Sequence, residues 1–178
     1  RYMAQENIPG VSLVVMKGDA VVRRQGFGVA SPASGDPMPT DRMQPIYSVS
    51  KQFTAVLILR LAERSLVDLD APVGRYVPAF EDEPALTIRT LLRQASGLPE
   101  FITLPEVLKI DTAPRGTGSL ADTVAIIAKQ PRRFAPGARF SYSNSNYTIL
   151  ARIAEIVTGL SFDEALRTIV LEPAAIEG

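Results

Sequence analysis

The sequence predicts an α/β chain of the α+β type, in which an N-terminal β-hairpin belonging to an antiparallel sheet precedes a mainly helical region. Two β-branched runs, Val11-Ser12-Leu13-Val14-Val15-Met16 and Val21 to Ala30, flank the turn residues Lys17-Gly18-Asp19-Ala20, the pattern of a hairpin. Further on, apolar residues recur at helical spacing behind capping residues. Between these parts lies Phe53 to Ala62, where eight of ten residues are apolar. A helix apolar on nearly every side belongs inside a core, and ten residues fall short of the roughly 20 that span a bilayer. The expected division is residues 1–47 for the N-terminal helix end and hairpin, and 48–178 for the helical region.

Taken in order, Arg1 to Asn7 reads as the tail of a helix ended by Ile8-Pro9-Gly10. Gly26 and Gly28 lie within the second strand, where glycines mark bulges or close backbone approach. Four prolines and small polar residues make Ser31 to Pro45 a loop. After the central apolar helix, a short helix is expected before Pro78. Thr87 caps a helix over Ile88 to Ala95, closed by Gly97. Glu100 to Gly118 is irregular, with at most one short helix around Pro105 to Ile110. Ser119 and Asp122 form a capping box for Leu120 to Lys129. Asn144 or Ser145 caps Asn146 to Thr158, whose apolar stripe is Ile149, Leu150, Ile153 and Ile156, and Gly159 ends it. Ser161 and Glu164 box the last helix, to about Leu171. A hairpin alone is marginal and leaves open edges, so its strands are expected to belong to a larger sheet, with the other strands outside this chain.

Composition narrows the chemistry. Net charge is zero with 21% charged residues, so no overall field favours nucleic acid or an anionic membrane. Arg132-Arg133 is a local pair, expected to be solvated. The chain opens on Arg1 rather than Met, so the lack of a signal peptide says little about compartment. There is no His and no Cys, which excludes a Ser-His-Asp triad, a thiol nucleophile and His- or thiolate-based metal sites within these residues. Nucleophilic chemistry here needs Lys, Tyr or a carboxylate as base.

Ser48-Val49-Ser50-Lys51, at the mouth of the apolar helix, fits that requirement. Residues three apart share a helix face, so Ser48 and Lys51 can meet. The spacing alone is weak, since 12 Ser and 4 Lys give about 0.27 Ser-x-x-Lys matches by chance. A capping serine and a snorkelling lysine explain it equally well in isolation. The second polar patch is Phe140-Ser141-Tyr142-Ser143-Asn144-Ser145-Asn146-Tyr147. Tyr142 and Asn144 flank one residue and can face one cleft; alternatively, Asn144 caps the helix and Tyr142 packs at the surface.

Ser-x-x-Lys at the start of an apolar helix, followed about 90 residues later by Tyr-x-Asn, resembles the serine β-lactamase and penicillin-binding protein family. The likeness is greatest to its class C-like branch of β-lactamases, D-alanyl-D-alanine carboxypeptidases and related esterases. Ile8-Pro9-Gly10-Val11-Ser12, Gly26-Phe27-Gly28, Leu69 to Val73, Ser96-Gly97-Leu98-Pro99 and Pro136 to Asn144 match its style in order. The resemblance implies a β-lactamase/transpeptidase-like fold and a serine hydrolase forming an acyl-enzyme on an amide, ester or β-lactam carbonyl. Ser48 would be the nucleophile, Lys51 and Tyr142 would move its proton, and Asn144 would orient Lys51 and bind the substrate amide. The expected partner is a small-molecule or peptide acyl substrate, with no metal or organic cofactor. Family habit favours a periplasmic or secreted location.

The departures carry information too. The family's Lys/His-Thr/Ser-Gly box is not found; Gly116-Thr117-Gly118 follows an arginine in an expected loop. Gln94-Ala95 stands where many members read His-Thr, and Tyr47 precedes the nucleophile as in esterase-type members. The chain therefore reads as the N-terminal half of such an enzyme, and a missing C-terminal segment would be a further partner. The alternative is a non-catalytic binding or complementation fragment.

Overall fold

The computed structural model describes residues 2–107 and 119–176. The chain divides into two compact units, Arg1–Ile46 and Tyr47–Gly178. In the first, helix α1 (Tyr2–Gln5) leads into strands β1 (Gly10–Lys17) and β2 (Ala20–Gly28). The strands pair antiparallel, with Gly10 opposite Gly28 and Lys17 opposite Ala20, and the register is irregular between Val15 and Met16. The bulge therefore lies away from the strand glycines, which serve close approach. A Cβ on Gly26 would sit 1.8 Å from the Met38 carbonyl oxygen. Both faces of the hairpin carry exposed apolar side chains, among them Val14, Met16, Val21 and Val22.

In the second unit a 3-10 turn, Tyr47–Val49, runs into α2 (Ser50–Glu63). Then follow 3-10 turns at Val73–Arg75, Pro78–Phe80 and Phe101–Thr103, with α3 (Ile88–Leu92) between the last two. Helices α4 (Leu120–Ala128), α5 (Asn144–Thr158) and α6 (Phe162–Leu166) complete it, α6 running on through a π turn at Arg167–Leu171. The capping boxes at Ser119 and Ser161 form, and Thr87 pairs reciprocally with Thr90. Gly159 closes α5 in the left-handed conformation, φ 71°.

The core is helix on helix. Leu57, Ile58 and Leu61 of α2 meet Ile149, Leu150 and Ile153 of α5, all fully buried. Each such side chain contributes about 1.5–3 kcal/mol of transfer free energy, enough to fix α2 and α5 side by side and bring their N-termini together. Helix α2 nevertheless differs from expectation: Val56 and Leu59 are 43% and 45% exposed. Its partners α5 and α6 pack on one side, so only Thr54, Leu57, Ile58 and Leu61 are buried.

Helix α3 stops at Leu92, short of the expected Ala95. Gln94 takes the left-handed conformation there, φ 57°. Gly97 is thus not the helix cap; it allows close approach, since a Cβ on it would lie 2.0 Å from the Phe134 carbonyl oxygen. Arg132 is not solvated either: its guanidinium forks onto the Glu83 carboxylate and lies over the Phe80 ring, and its side chain is only 17% exposed. The short helix expected around Pro105 to Ile110 is helical over residues 105–107; the rest of it and Gly116-Thr117-Gly118 fall outside the described residues.

Candidate active site

Ser48 sits in the 3-10 turn that opens α2, and Lys51 one turn on. Tyr47, just before them, holds a left-handed backbone at φ 44°, a conformation that costs a non-glycine residue about 1–3 kcal/mol. Tyr142 and Asn144 arrive at the mouth of α5. That helix is capped by Ser143, whose hydroxyl accepts from the Ser145 N–H. The cap lies one residue earlier than the sequence suggests, because Ser143 also donates to the Pro99 carbonyl at 2.8 Å and is pinned there. Asn144 is consequently the first helical residue, with its side chain free for other contacts.

The four residues singled out by the sequence meet in one network. The Ser48 and Tyr142 hydroxyls are 2.7 Å apart. Lys51 Nζ donates to Ser48 Oγ at 3.3 Å and to Asn144 Oδ1 at 2.6 Å. The Tyr142 hydroxyl lies 3.3 Å from the same Asn144 oxygen. Lys51 Nζ also stands 4.9 Å from the centre of the Tyr142 ring. The Lys51 ammonium first, and the bond to Ser48 second, hold the Tyr142 hydroxyl below its ordinary 10.0. Burial pushes the neighbouring Tyr147 hydroxyl upward. Ser48 and Tyr142 are exposed, Lys51 half-buried. A cleft of about 510 Å³ opens beside them, and Ser48, Lys51, Asn144, Phe101, Ile102 and Phe162 are among the residues that line it.

Two residues that sequence reasoning did not place at the site brace it. Gln94, buried, presents its side-chain oxygen to the Ser143 N–H at 2.9 Å and to Asn146 Nδ2, while its backbone carbonyl accepts from the Ser141 N–H at 2.8 Å. Tyr142 is thus held on both sides. Glu100 Oε2 accepts from the Asn144 N–H at 2.9 Å and from Asn144 Nδ2 at 3.1 Å. The only sequence signal for Gln94 is its place in the departure from His-Thr; Glu100 has none. Among the described residues, no three His, Cys, Asp or Glu side chains converge as a metal site.

The family model described as Beta-lactamase matches residues 1–177. The chain belongs to the beta-lactamase family. A D-aminopeptidase of Brucella anthropi is 35% identical over 172 residues, 95% of this chain and 32% of that protein. The D-amino acid amidase of Ochrobactrum anthropi SV3, solved with D-phenylalanine, superposes with a TM-score of 0.82 at 25% identity, over 98% of this chain and 48% of that one. An octameric penicillin-binding protein homologue from Pyrococcus abyssi gives 0.80 at 30% identity, over 97% of this chain and 40% of that one. The beta-lactamase/transpeptidase-like fold is that of these neighbours. The chain spans about a third of the length of the curated relatives it matches. Among the described residues no helix is long and apolar enough to cross a membrane.

Proposed function

We propose that the chain carries the acylating residues of a serine hydrolase, acting on an amide carbonyl ahead of an ester or β-lactam. The observation that carries this reading is the hydrogen-bonded set Ser48, Lys51, Tyr142 and Asn144. The preference for amides follows the relatives named D-aminopeptidase and D-amino acid amidase, and makes a D-amino acid amide the first substrate to try.

The network suggests an order for the proton. Ser48 Oγ accepts from Lys51, so its own O–H is left to point at the Tyr142 oxygen 2.7 Å away. Tyr142, as phenolate beside the Lys51 ammonium, would take that proton as Oγ adds to the carbonyl carbon. The carbonyl electrons move onto oxygen, and the Ser48 N–H at the helix mouth would stabilise that charge. Collapse re-forms the carbonyl and breaks the C–N bond. Tyr142 then returns its proton to the departing amine, leaving an ester on Ser48 that water hydrolyses. Asn144 would hold Lys51 in place and bond the substrate amide.

The test is to incubate the purified protein with D-phenylalanine amide, a fluorescent penicillin and a short-chain activated ester, beside Ser48→Ala. Intact mass reads the acyl adduct and product assays read turnover. An adduct or turnover that Ser48→Ala abolishes supports the proposal. No reaction with any of the three, or an unchanged variant, refutes it and leaves the non-catalytic fragment.

A further inference from the structure

We propose that Glu100 is a positioning residue that decides which end of the Asn144 side-chain amide faces Lys51. An asparagine amide is nearly symmetrical in shape, so packing alone does not choose between its oxygen and its nitrogen. Here the choice is made by charge on both sides. The oxygen accepts from Lys51 Nζ at 2.6 Å, and the nitrogen donates to Glu100 Oε2 at 3.1 Å. Turning the amide over would set N–H against ammonium and oxygen against carboxylate, losing both bonds and opposing like partners.

The carboxylate is itself held where it can do this. Glu100 Oε2 also takes the backbone N–H of Asn144, the first residue of α5, and its other oxygen takes the Ile102 N–H. Next to it, the Pro99 carbonyl accepts from Ser143 and Ser145, at 2.8 and 2.6 Å. The 99–100 segment therefore straps the mouth of α5 at four points. A negative charge there also suits the positive end of the helix dipole.

The consequence lies in the reaction cycle. In the proposed cycle Lys51 stays an ammonium while the Tyr142 oxygen, 3.3 Å from Asn144 Oδ1, alternates between phenolate and hydroxyl. A phenolate there repels the amide oxygen and attracts the amide N–H, so that side pulls the amide toward the turned-over orientation. Glu100 opposes the turn, so Asn144 keeps its oxygen on Lys51 through the cycle. This use of Glu100 rests on the proposed roles of Ser48, Lys51 and Tyr142, but the amide orientation is measurable without any turnover.

The experiment uses the full 178-residue chain, labelled with nitrogen-15, as wild type, Glu100→Gln and Glu100→Ala. Asn144→Ala assigns the Asn144 side-chain amide signals by their loss. In wild type the two protons of that group are expected to be well separated in shift and slow to exchange. In Glu100→Ala they should converge and exchange at least about tenfold faster. Glu100→Gln keeps an acceptor oxygen and should retain the separated pair. In parallel, the acylation rate constant should fall about 10²-fold in Glu100→Ala, with apparent substrate affinity changed less than about threefold and at least about tenfold recovered in Glu100→Gln. Unchanged Asn144 signals in Glu100→Ala overturn the proposal, as does an acylation rate there within about threefold of wild type. If Glu100→Ala does not fold, Glu100→Met, which keeps the side-chain length and removes the acceptor, decides: unchanged Asn144 signals in that folded variant are the overturning result. Failure of the wild type to acylate refutes the proposed function instead, and the amide signals still decide the role of Glu100.

Discussion

Replacing Gln94 by alanine removes one buried oxygen on which two donors depend, and the cost follows from what each donor has left. The Ser143 N–H, 2.9 Å from that oxygen in a residue 1% exposed, loses its acceptor. Stranding it costs about 1–3 kcal/mol. Asn146 Nδ2 loses the same oxygen but keeps the Ser143 carbonyl at 3.2 Å, so its share is nearer 0.5–1.5 kcal/mol, roughly an ordinary net hydrogen bond. The sum is about 1.5–4.5 kcal/mol, and its midpoint of about 3 corresponds to roughly 6–12 °C in Tm for a chain of this size. Glycine at the same position separates this loss from backbone strain. It removes the same oxygen but relieves the left-handed φ of 57°, so Gln94→Gly should be about 1 kcal/mol more stable than Gln94→Ala. That is the reverse of the usual order of the two residues. Urea unfolding followed by far-UV dichroism measures both. Gln94→Ala within about 1 kcal/mol of wild type, or Gln94→Gly no better than Gln94→Ala, would refute the assignment of the brace to that one oxygen.

Three further outcomes follow from the same geometry. Gly97→Ala should cost about 2–4 kcal/mol, since its Cβ would lie 2.0 Å from the Phe134 oxygen at φ 77°; thermal unfolding measures it, and a change below about 1 kcal/mol contradicts the close approach. Ser161→Ala removes the α6 cap and should cost about 1 kcal/mol in the same assay. Bonds from the Ser161 side chain and then its backbone hold the Glu164 carboxyl below its ordinary 4.5, so its contribution is present above that value and fades as pH falls through the lowered one. Carbon-13 titration should show the Glu164 midpoint move up in Ser161→Ala. For Tyr142, the lowered hydroxyl means phenolate forms at a lower pH than the ordinary 10.0. Ultraviolet titration against Tyr142→Phe should show this. Lys51→Gln removes the leading cause and should move the midpoint back up; a midpoint that stays put would count against the ammonium as its source.

What the sequence disclosed and what it hid divide by distance along the chain. The reciprocal caps at Ser119–Asp122 and Ser161–Glu164 join residues three apart, and Lys51 reaches Ser48 over the same span. A helix of known pitch brings such pairs together whatever surrounds it, so they can be read from spacing. The hairpin is equally local, its register set by a turn of two residues between Lys17 and Ala20. The bonds from Gln94 to Ser143 and from Glu100 to Asn144 span 49 and 44 residues. They exist only because α2, α3 and α5 pack as they do. Periodicity also overstated the burial of α2, because it counts apolar residues without knowing on which side the partners lie.

The departure at Gln94-Ala95 acquires a physical content from this. Helix α3 ends because the chain turns left-handed at Gln94, and that turn aims both its backbone carbonyl and its side-chain oxygen at the 141–146 segment. Strain of about 1–3 kcal/mol for a non-glycine residue there is offset by bonds to three donors, two of which, the Ser141 and Ser143 N–H groups, have no other acceptor among the described residues. An imidazole in that position has two ring nitrogens and no oxygen; it accepts one bond where the amide oxygen accepts two. Serving the Ser143 N–H and Asn146 Nδ2 together therefore takes an acceptor of the kind glutamine provides, and the loop that carries Tyr142 and Asn144 is matched to the residue this chain has.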